Sequence, residues 1–248
     1  RAGRIAPGAA DEVRHARGRR GRPGSALRCA RHTSMITIYG VYRSRATRPL
    51  WVLHELGLEF THVPVIQAYR LSDPRAEGAP LNTMSPAFLA ISSLAQIPVM
   101  VEDDLVLTES MAIATYIARR HGGLLGPQGE VEAAQTMQWA LFAATAIEGP
   151  ALEIMRAPAS EEGEEVVRRA AEQLRRPLAW LEQHLAGRAF MVGERFTVAD
   201  VNAAECLRYA QGHATLLAEF PAVKRWLEGC QARPAFQAMW ARRLAEPA

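Results

Sequence analysis

The stretch from Gln96 to Ile113 constrains the fold of this chain more tightly than any other. Two apolar runs, Val99-Met100-Val101 and Leu105-Val106-Leu107, are separated by Glu102-Asp103-Asp104. Apolar runs of that length around a polar break read as a hairpin closed by an acidic turn. Pro98 stands at the first position of its strand, where a missing backbone donor costs least. Thr108-Glu109-Ser110 then supplies the polar side chains that open a helix, and the apolar residues of that helix follow at once. Strand, turn, strand and helix are thus packed into one short segment, and the helix leaves its unpaired N–H groups beside the proline strand.

The residues before this unit continue the same logic. Ile36–Tyr39 reads as a strand ending at Gly40. Ala46–Leu58 has Leu50, Leu53, His54 and Leu56 at helical spacing. Phe60–Ile66 is a second strand, which Pro64 confines to an edge. Residues 67–92 are irregular and carry one short helix. The order β-α-β-(α)-β-β-α predicts a thioredoxin-like α/β domain, parallel in its first half and antiparallel in its second. Gly122-Gly123, Gly126-Pro127 and Gly129 punctuate a linker. Beyond it every pattern is helical: Val131–Met155, with Met137, Leu141 and Ala144 on its period, Glu161–Leu185 with a kink at Pro177, Thr197–Tyr209 and Ala222–Arg233. The expected organisation is a basic extension over 1–34, an α/β domain over 35–121, a linker over 122–130 and an all-α helical bundle over 131–245.

Charge separates the extension from the rest. Residues 1–34 hold nine arginines against Asp11 and Glu12, a balance of +7, so in a chain of net charge +3 the remainder carries −4. A mildly acidic body argues against nucleic acid as a partner. The extension has no aromatic residue and no apolar period, so it is expected to be disordered; its functional readings are a transit peptide or a basic nucleic-acid arm, and the expectation is a stretch translated from a misplaced start upstream of Met35. No apolar run is long enough to span a bilayer. Cys29, Cys206 and Cys230 are odd in number and share no ligand spacing, which fits a reducing, cytoplasmic setting and neither a disulfide framework nor a zinc site. Lys224 is the sole lysine among 29 basic residues, a bias that a GC-rich bacterial genome would explain.

Gln96-Ile97-Pro98-Val99 followed by Glu109-Ser110, within an α/β unit joined by a Gly/Pro linker to a helical one, resembles the cytosolic glutathione S-transferase superfamily over roughly residues 35–245. The likeness is to its bacterial, serine-type, theta-like members. On the residues alone Pro98 is a strand-initiating proline and Glu109-Ser110 a helix cap. The resemblance implies more: a cis Ile97–Pro98 bond that turns the Ile97 backbone to the cysteinyl part of glutathione, and a γ-glutamyl group held by Ser110 and Glu109. Gln96 is a further candidate for the peptide. Ser92-Ser93-Leu94-Ala95 replaces the Asn-Pro-Gly often found before this unit.

The resemblance also places the catalytic group in Val41-Tyr-Arg-Ser-Arg-Ala-Thr-Arg48, where Ser44 and Arg48 match the serine-type spacing. The required chemistry is to keep the glutathione thiol as thiolate, since only the thiolate attacks. Lowering a thiol pKa from about 8.5 to about 6.5 takes about 2.7 kcal/mol. A donated hydroxyl hydrogen bond supplies ~1.5–3 kcal/mol and a helix N-terminus ~0.3–1, enough without a metal. Tyr42, Arg45 and Thr47 are the competing candidates. No cysteine lies in this loop, which argues against a protein-thiol mechanism.

Phe196-Thr-Val-Ala-Asp200 is a capping box with Asp in place of Glu and belongs to folding. Trp139, Phe142 and Tyr209, with His213, are candidates to line a second-substrate pocket against the helices. The expectation is a homodimeric detoxification transferase that adds glutathione, its cosubstrate, to an electrophilic, largely apolar small molecule. The alternatives are a non-catalytic interaction module of stringent-starvation or elongation-factor type, and a glutathione-dependent isomerase or dehalogenase.

Overall fold

The computed structural model describes residues 35–247, so the expectations for residues 1–34 lie outside the described residues. The chain opens with β1 (Ile36–Tyr39), α1 (Thr47–Leu56), β2 (Phe60–Val63), α2 (Pro86–Leu89), β3 (Val99–Glu102), β4 (Leu105–Leu107) and α3 (Ser110–His121). The strands form one sheet in the order β2-β1-β3-β4. β1 runs parallel to β2, with Ile36 opposite Phe60, and antiparallel to β3, with Ile38 opposite Met100; β3 and β4 close the hairpin. The parallel half and antiparallel half are those the strand pattern requires, and β2 ends before Pro64 because proline cannot supply the next ladder donor.

Both faces of the sheet are covered, so the strands carry apolar residues on both. Ile36, Ile38 and Met100 belong to the main core, while Val99 packs with Val65 and Phe88 beneath α2. Seven consecutive residues of α1, Thr47 to Leu53, are buried. A helix buried on every side must be enclosed, and α1 packs against α3 and, from the helical half, α7 and α10. Gly57 ends α1 at φ 60°, in the left-handed region that favours glycine.

The remainder is helical: α4 (Gly129–Phe142), α5 (Glu148–Arg156), α6 (Glu161–Leu185), α7 (Val198–Leu207), α8 (Ala214–Ala218), α9 (Pro221–Gln231) and α10 (Pro234–Ala245). α4 and α5 are not one helix, as the sequence pattern over Val131–Met155 suggested. A π-helical turn, Ala143–Ile147, lies between them. The apolar face of α4 also differs from the expectation: Met137 and Leu141 are 65% and 59% exposed, while Trp139, Ala143 and Ile147 enter the core. α4 is apolar on both sides, so periodicity had no contrast with which to choose between them. α6 continues through Pro177 from Glu161 to Leu185.

Asp200 is the organising polar residue of this half. It is fully buried in the first turn of α7 and completes the capping box with Thr197. Its carboxylate accepts from the Thr197 and Met191 amides at 2.9 and 2.8 Å and from the Trp226 indole at 2.9 Å.

Candidate functional site

The sharpest local feature lies between β1 and α3. The Ile97–Pro98 peptide is cis, and Gly40, just after β1, passes close to it at φ 146°. A Cβ at Gly40 would stand 3.2 Å from Ala46 Cβ and 3.4 Å from Ile97 Cβ, so only glycine fits this approach. At the other end of the hairpin Glu109 sits at φ 66°. A non-glycine residue held in that region is strained, and such positions concentrate at ligand sites. Glu109 is exposed while Ser110, the first residue of α3, is buried.

Ile97, Pro98, Glu109, Ser110 and Gln96 all line one cavity of about 1330 Å³. Its other wall comes from α3, from α4 with Met137, Ala140 and Leu141, and from Ala144 of the π turn, which explains why that face of α4 is both apolar and open. Trp139, Phe142 and Tyr209 are not in the lining. The two α4 aromatics turn the other way: Trp139 stacks on Trp180 at 4.6 Å and meets Phe142 edge-on at 5.6 Å, and Tyr209 is buried. His213 also lies away from this cavity and caps α8, accepting from the Leu216 amide at 3.2 Å.

The loop between β1 and α1 divides its groups. Ser44 Oγ donates to the Val41 carbonyl at 2.6 Å and accepts from the Ala46 amide at 3.0 Å. It therefore shapes the start of α1, and it is absent from the cavity lining, as is Tyr42. Arg45 and Arg48 do line the cavity. Arg48 is 2% exposed; its guanidinium donates to Ser110 Oγ at 2.7 Å, to Glu148 at 2.6 Å and to Cys206 Sγ at 3.2 Å. Burial opposes its charge, yet the Glu148 carboxylate and its other neighbours outweigh that and keep it cationic. Ser110 Oγ accepts from a buried cation and so has its own proton to give to a ligand carboxylate.

Glu148 was not singled out from the sequence. It is the first residue of α5, directly after the π turn, and Oε1 accepts from both Arg45 Nε and Arg48 at 2.6 Å. Burial works against its charge, but the two guanidiniums prevail and hold its carboxyl below the ordinary range. The available signal was one acidic residue closing the run Leu141–Ile147, apolar but for Thr145, just before Gly149-Pro150. Cys206, by contrast, is pushed up to about 12 by burial, so its thiol stays protonated and is no nucleophile. His121 has a carboxylate partner the sequence did not suggest, Glu102 at 3.0 Å.

Comparison with known proteins agrees with this geometry. The family described as "Glutathione S-transferase, N-terminal domain" matches residues 42–120, and "Glutathione S-transferase, C-terminal domain" matches residues 133–234. Glutathione S-transferase 3 of Zea mays is 33% identical over 215 residues, covering 82% of this chain and 91% of the plant protein. Elongation factor 1-gamma of Danio rerio is 34% identical over 164 residues, 62% of this chain but only 35% of that protein. Among solved structures, a glutathione transferase family member from Pseudomonas fluorescens with two glutathione bound superposes with a TM-score of 0.68. It is 26% identical and is covered to 94%, against 85% of this chain. With a cis-proline hairpin, a serine-headed helix and a helical half matching along nearly their whole length, the chain belongs to the glutathione S-transferase family.

Proposed function

We propose that this protein binds glutathione in the cavity between the cis-proline hairpin and α4, ionises its thiol, and joins the sulfur to an electrophilic, largely apolar small molecule. The observation that carries the reading is the convergence of Ile97-Pro98, Glu109 and Ser110 on one cavity whose opposite wall is apolar. Ser110 and the N-terminus of α3 take the γ-glutamyl carboxylate, Glu109 faces its ammonium, and the Ile97 backbone pairs with the cysteinyl unit as a strand edge would. Gln96 adds a side-chain contact. The thiol proton passes to water, the sulfur lone pair forms the new C–S bond, and the leaving group departs with its electron pair. Met137, Leu141 and Ala144 offer the electrophile an apolar surface; they replace Trp139, Phe142 and Tyr209 in that role.

The β1–α1 loop supplies thiol activation. Ser44 reaches the sulfur only by exchanging its 2.6 Å bond to Val41 for one to the thiolate. We place the protein in the cytoplasm as a homodimer acting in detoxification, on the strength of the family likeness. The similarity to elongation factor 1-gamma supports a second reading, a module for protein contact. Calorimetric titration with glutathione, coupled to turnover of an activated aryl halide, separates the two. Binding and turnover are expected, with Ser110→Ala weakening glutathione about tenfold, the worth of one charge-assisted hydrogen bond. An interaction module would show neither.

A further inference from the structure

We propose that Arg45 is the catalytic group facing the glutathione thiolate, and that Glu148, reaching across from the helical half, is the positioning residue that aims it. This rests on the glutathione reading above and names the group that ionises the thiol. Four observations carry it. Ser44 spends its hydroxyl on Val41 and Ala46 and does not line the cavity. Arg45, its neighbour, does line the cavity, with a side chain 46% exposed. Glu148 fixes Arg45 through Nε at 2.6 Å, and among the described residues the two terminal nitrogens make no hydrogen bond. Those nitrogens are the ones a thiolate would use.

The fourth observation is the π turn at Ala143–Ile147. One extra residue in a helical turn rotates everything after it by about 100°. Glu148 is the first residue after that rotation, and it lands in the cavity wall against two arginines of the other half. π turns recur where a helix must aim a functional side chain. The arrangement also explains the two-to-one stoichiometry of charge. Arg48 is buried and bonded on several sides, so Glu148 neutralises it, and the exposed Arg45 remains as net positive charge facing the ligand. A cation beside a thiol lowers its pKa. Glu109 just ahead of α3, Arg119 and Arg120 of α3 and Glu130 of α4 also line the cavity. They leave the charge of that wall balanced.

The test follows thiolate absorbance of bound glutathione against pH, with affinity measured separately by calorimetry and folding by circular dichroism. Arg45→Ala is expected to raise the thiol pKa by about one unit, roughly tenfold less thiolate at a pH below it, while affinity changes less. Arg45→Lys should recover part of the shift, and Ser44→Ala should leave the curve in place. Glu148→Gln is decisive because its two possible effects differ in sign. Removing a negative charge would by itself lower the thiol pKa; releasing Arg45 from its aim raises it. A rise is expected. Glu148→Asp, which keeps a counter-charge for Arg48 but falls short of Arg45, should give the same rise if the glutamine variant does not fold. Bound glutathione whose curve is unmoved by Arg45→Ala, or abolished by Ser44→Ala, overturns the assignment of Arg45. A pKa that falls or stays fixed in the folded Glu148 variants overturns the positioning role. Failure of the unmodified protein to bind glutathione overturns the underlying reading as well.

Discussion

At the scale of single residues, the partners a polar group already holds decide what else it can do. Asp200 shows the structural extreme. Its two carboxylate oxygens take three N–H donors, two from the loop before α7 and one from α9, as well as the Thr197 hydroxyl at 3.1 Å. Burial lifts its carboxyl above the ordinary range even against those donors. Replacing Asp200 by alanine strands several buried donors at once, each costing about 1–3 kcal/mol. Urea unfolding of Asp200→Ala should therefore show a loss of about 3–5 kcal/mol, with Asp200→Asn, which keeps one acceptor, losing about half. A loss under 1 kcal/mol would mean that water replaces the carboxylate. Ser44 shows the same rule at the candidate site: a hydroxyl already donating at 2.6 Å to a main-chain carbonyl is a poorer free donor than its place in the loop suggested.

At the scale of elements, arginine–carboxylate clips fix how segments meet. Arg195, in the loop before α7, grips Glu132 of α4 with two nitrogens and donates to the Leu124 and Gly126 carbonyls between α3 and α4. The Arg195 hydrogen bonds, with one from the Gln128 amide, hold the Glu132 carboxyl at about 2, below its ordinary 4.5. A depressed acid stabilises the fold above its unfolded pKa and loses that contribution as pH falls to the folded value. Unfolding midpoints of Glu132→Gln should thus lie below those of the parent at neutral pH. The gap should close between about pH 4.5 and about pH 2, where the parent's Glu132 protonates. A gap independent of pH would assign the effect to packing. Elements of this kind differ in how well the sequence announces them. The hairpin and α3 were legible because every contact that defines them is local: strand pattern, turn acids and helix-opening residues lie within eighteen consecutive positions. The face of α4 and the π turn were not. Ala143-Ala-Thr-Ala-Ile147 has ordinary helical composition, and the insertion of one residue per turn leaves no mark on propensity. The cavity lining was consequently assigned to Trp139 and Phe142, which the structure turns into an aromatic stack with Trp180.

At the scale of the whole molecule, the site is assembled by parts of the chain that no local pattern connects. One apolar core runs from the sheet through α1 into the helical bundle, with Trp51 of α1 meeting Phe236 of α10 edge-on at 4.8 Å. Arg233 and Glu55 lock the same seam with two parallel hydrogen bonds of 2.7 and 2.8 Å. From the end of α10, Glu246 reaches back across 204 positions of sequence to the β1–α1 loop. Its carboxylate accepts from the Tyr42 and Arg43 amides at 2.7 and 2.8 Å, while Arg43 Nε donates to the Glu246 carbonyl and Arg243 to the Tyr42 carbonyl. These amides directly precede Ser44 and Arg45, so the C-terminal segment sets the stiffness of the loop that presents them. Glu246→Ala removes the shared acceptor without disturbing the apolar core. Exchange of the Tyr42 and Arg43 amides should then quicken about tenfold or more, the worth of one to two kcal/mol of local opening, with global stability little changed. Loosening the loop spreads the orientations of Arg45, so kcat/KM for the transferase reaction should fall several-fold while glutathione affinity, which the proposed function assigns to the hairpin and α3, holds. Equal protection of those amides in parent and variant would show that Arg243 and the loop's own turn suffice, and would remove the C-terminal segment from any part in the site.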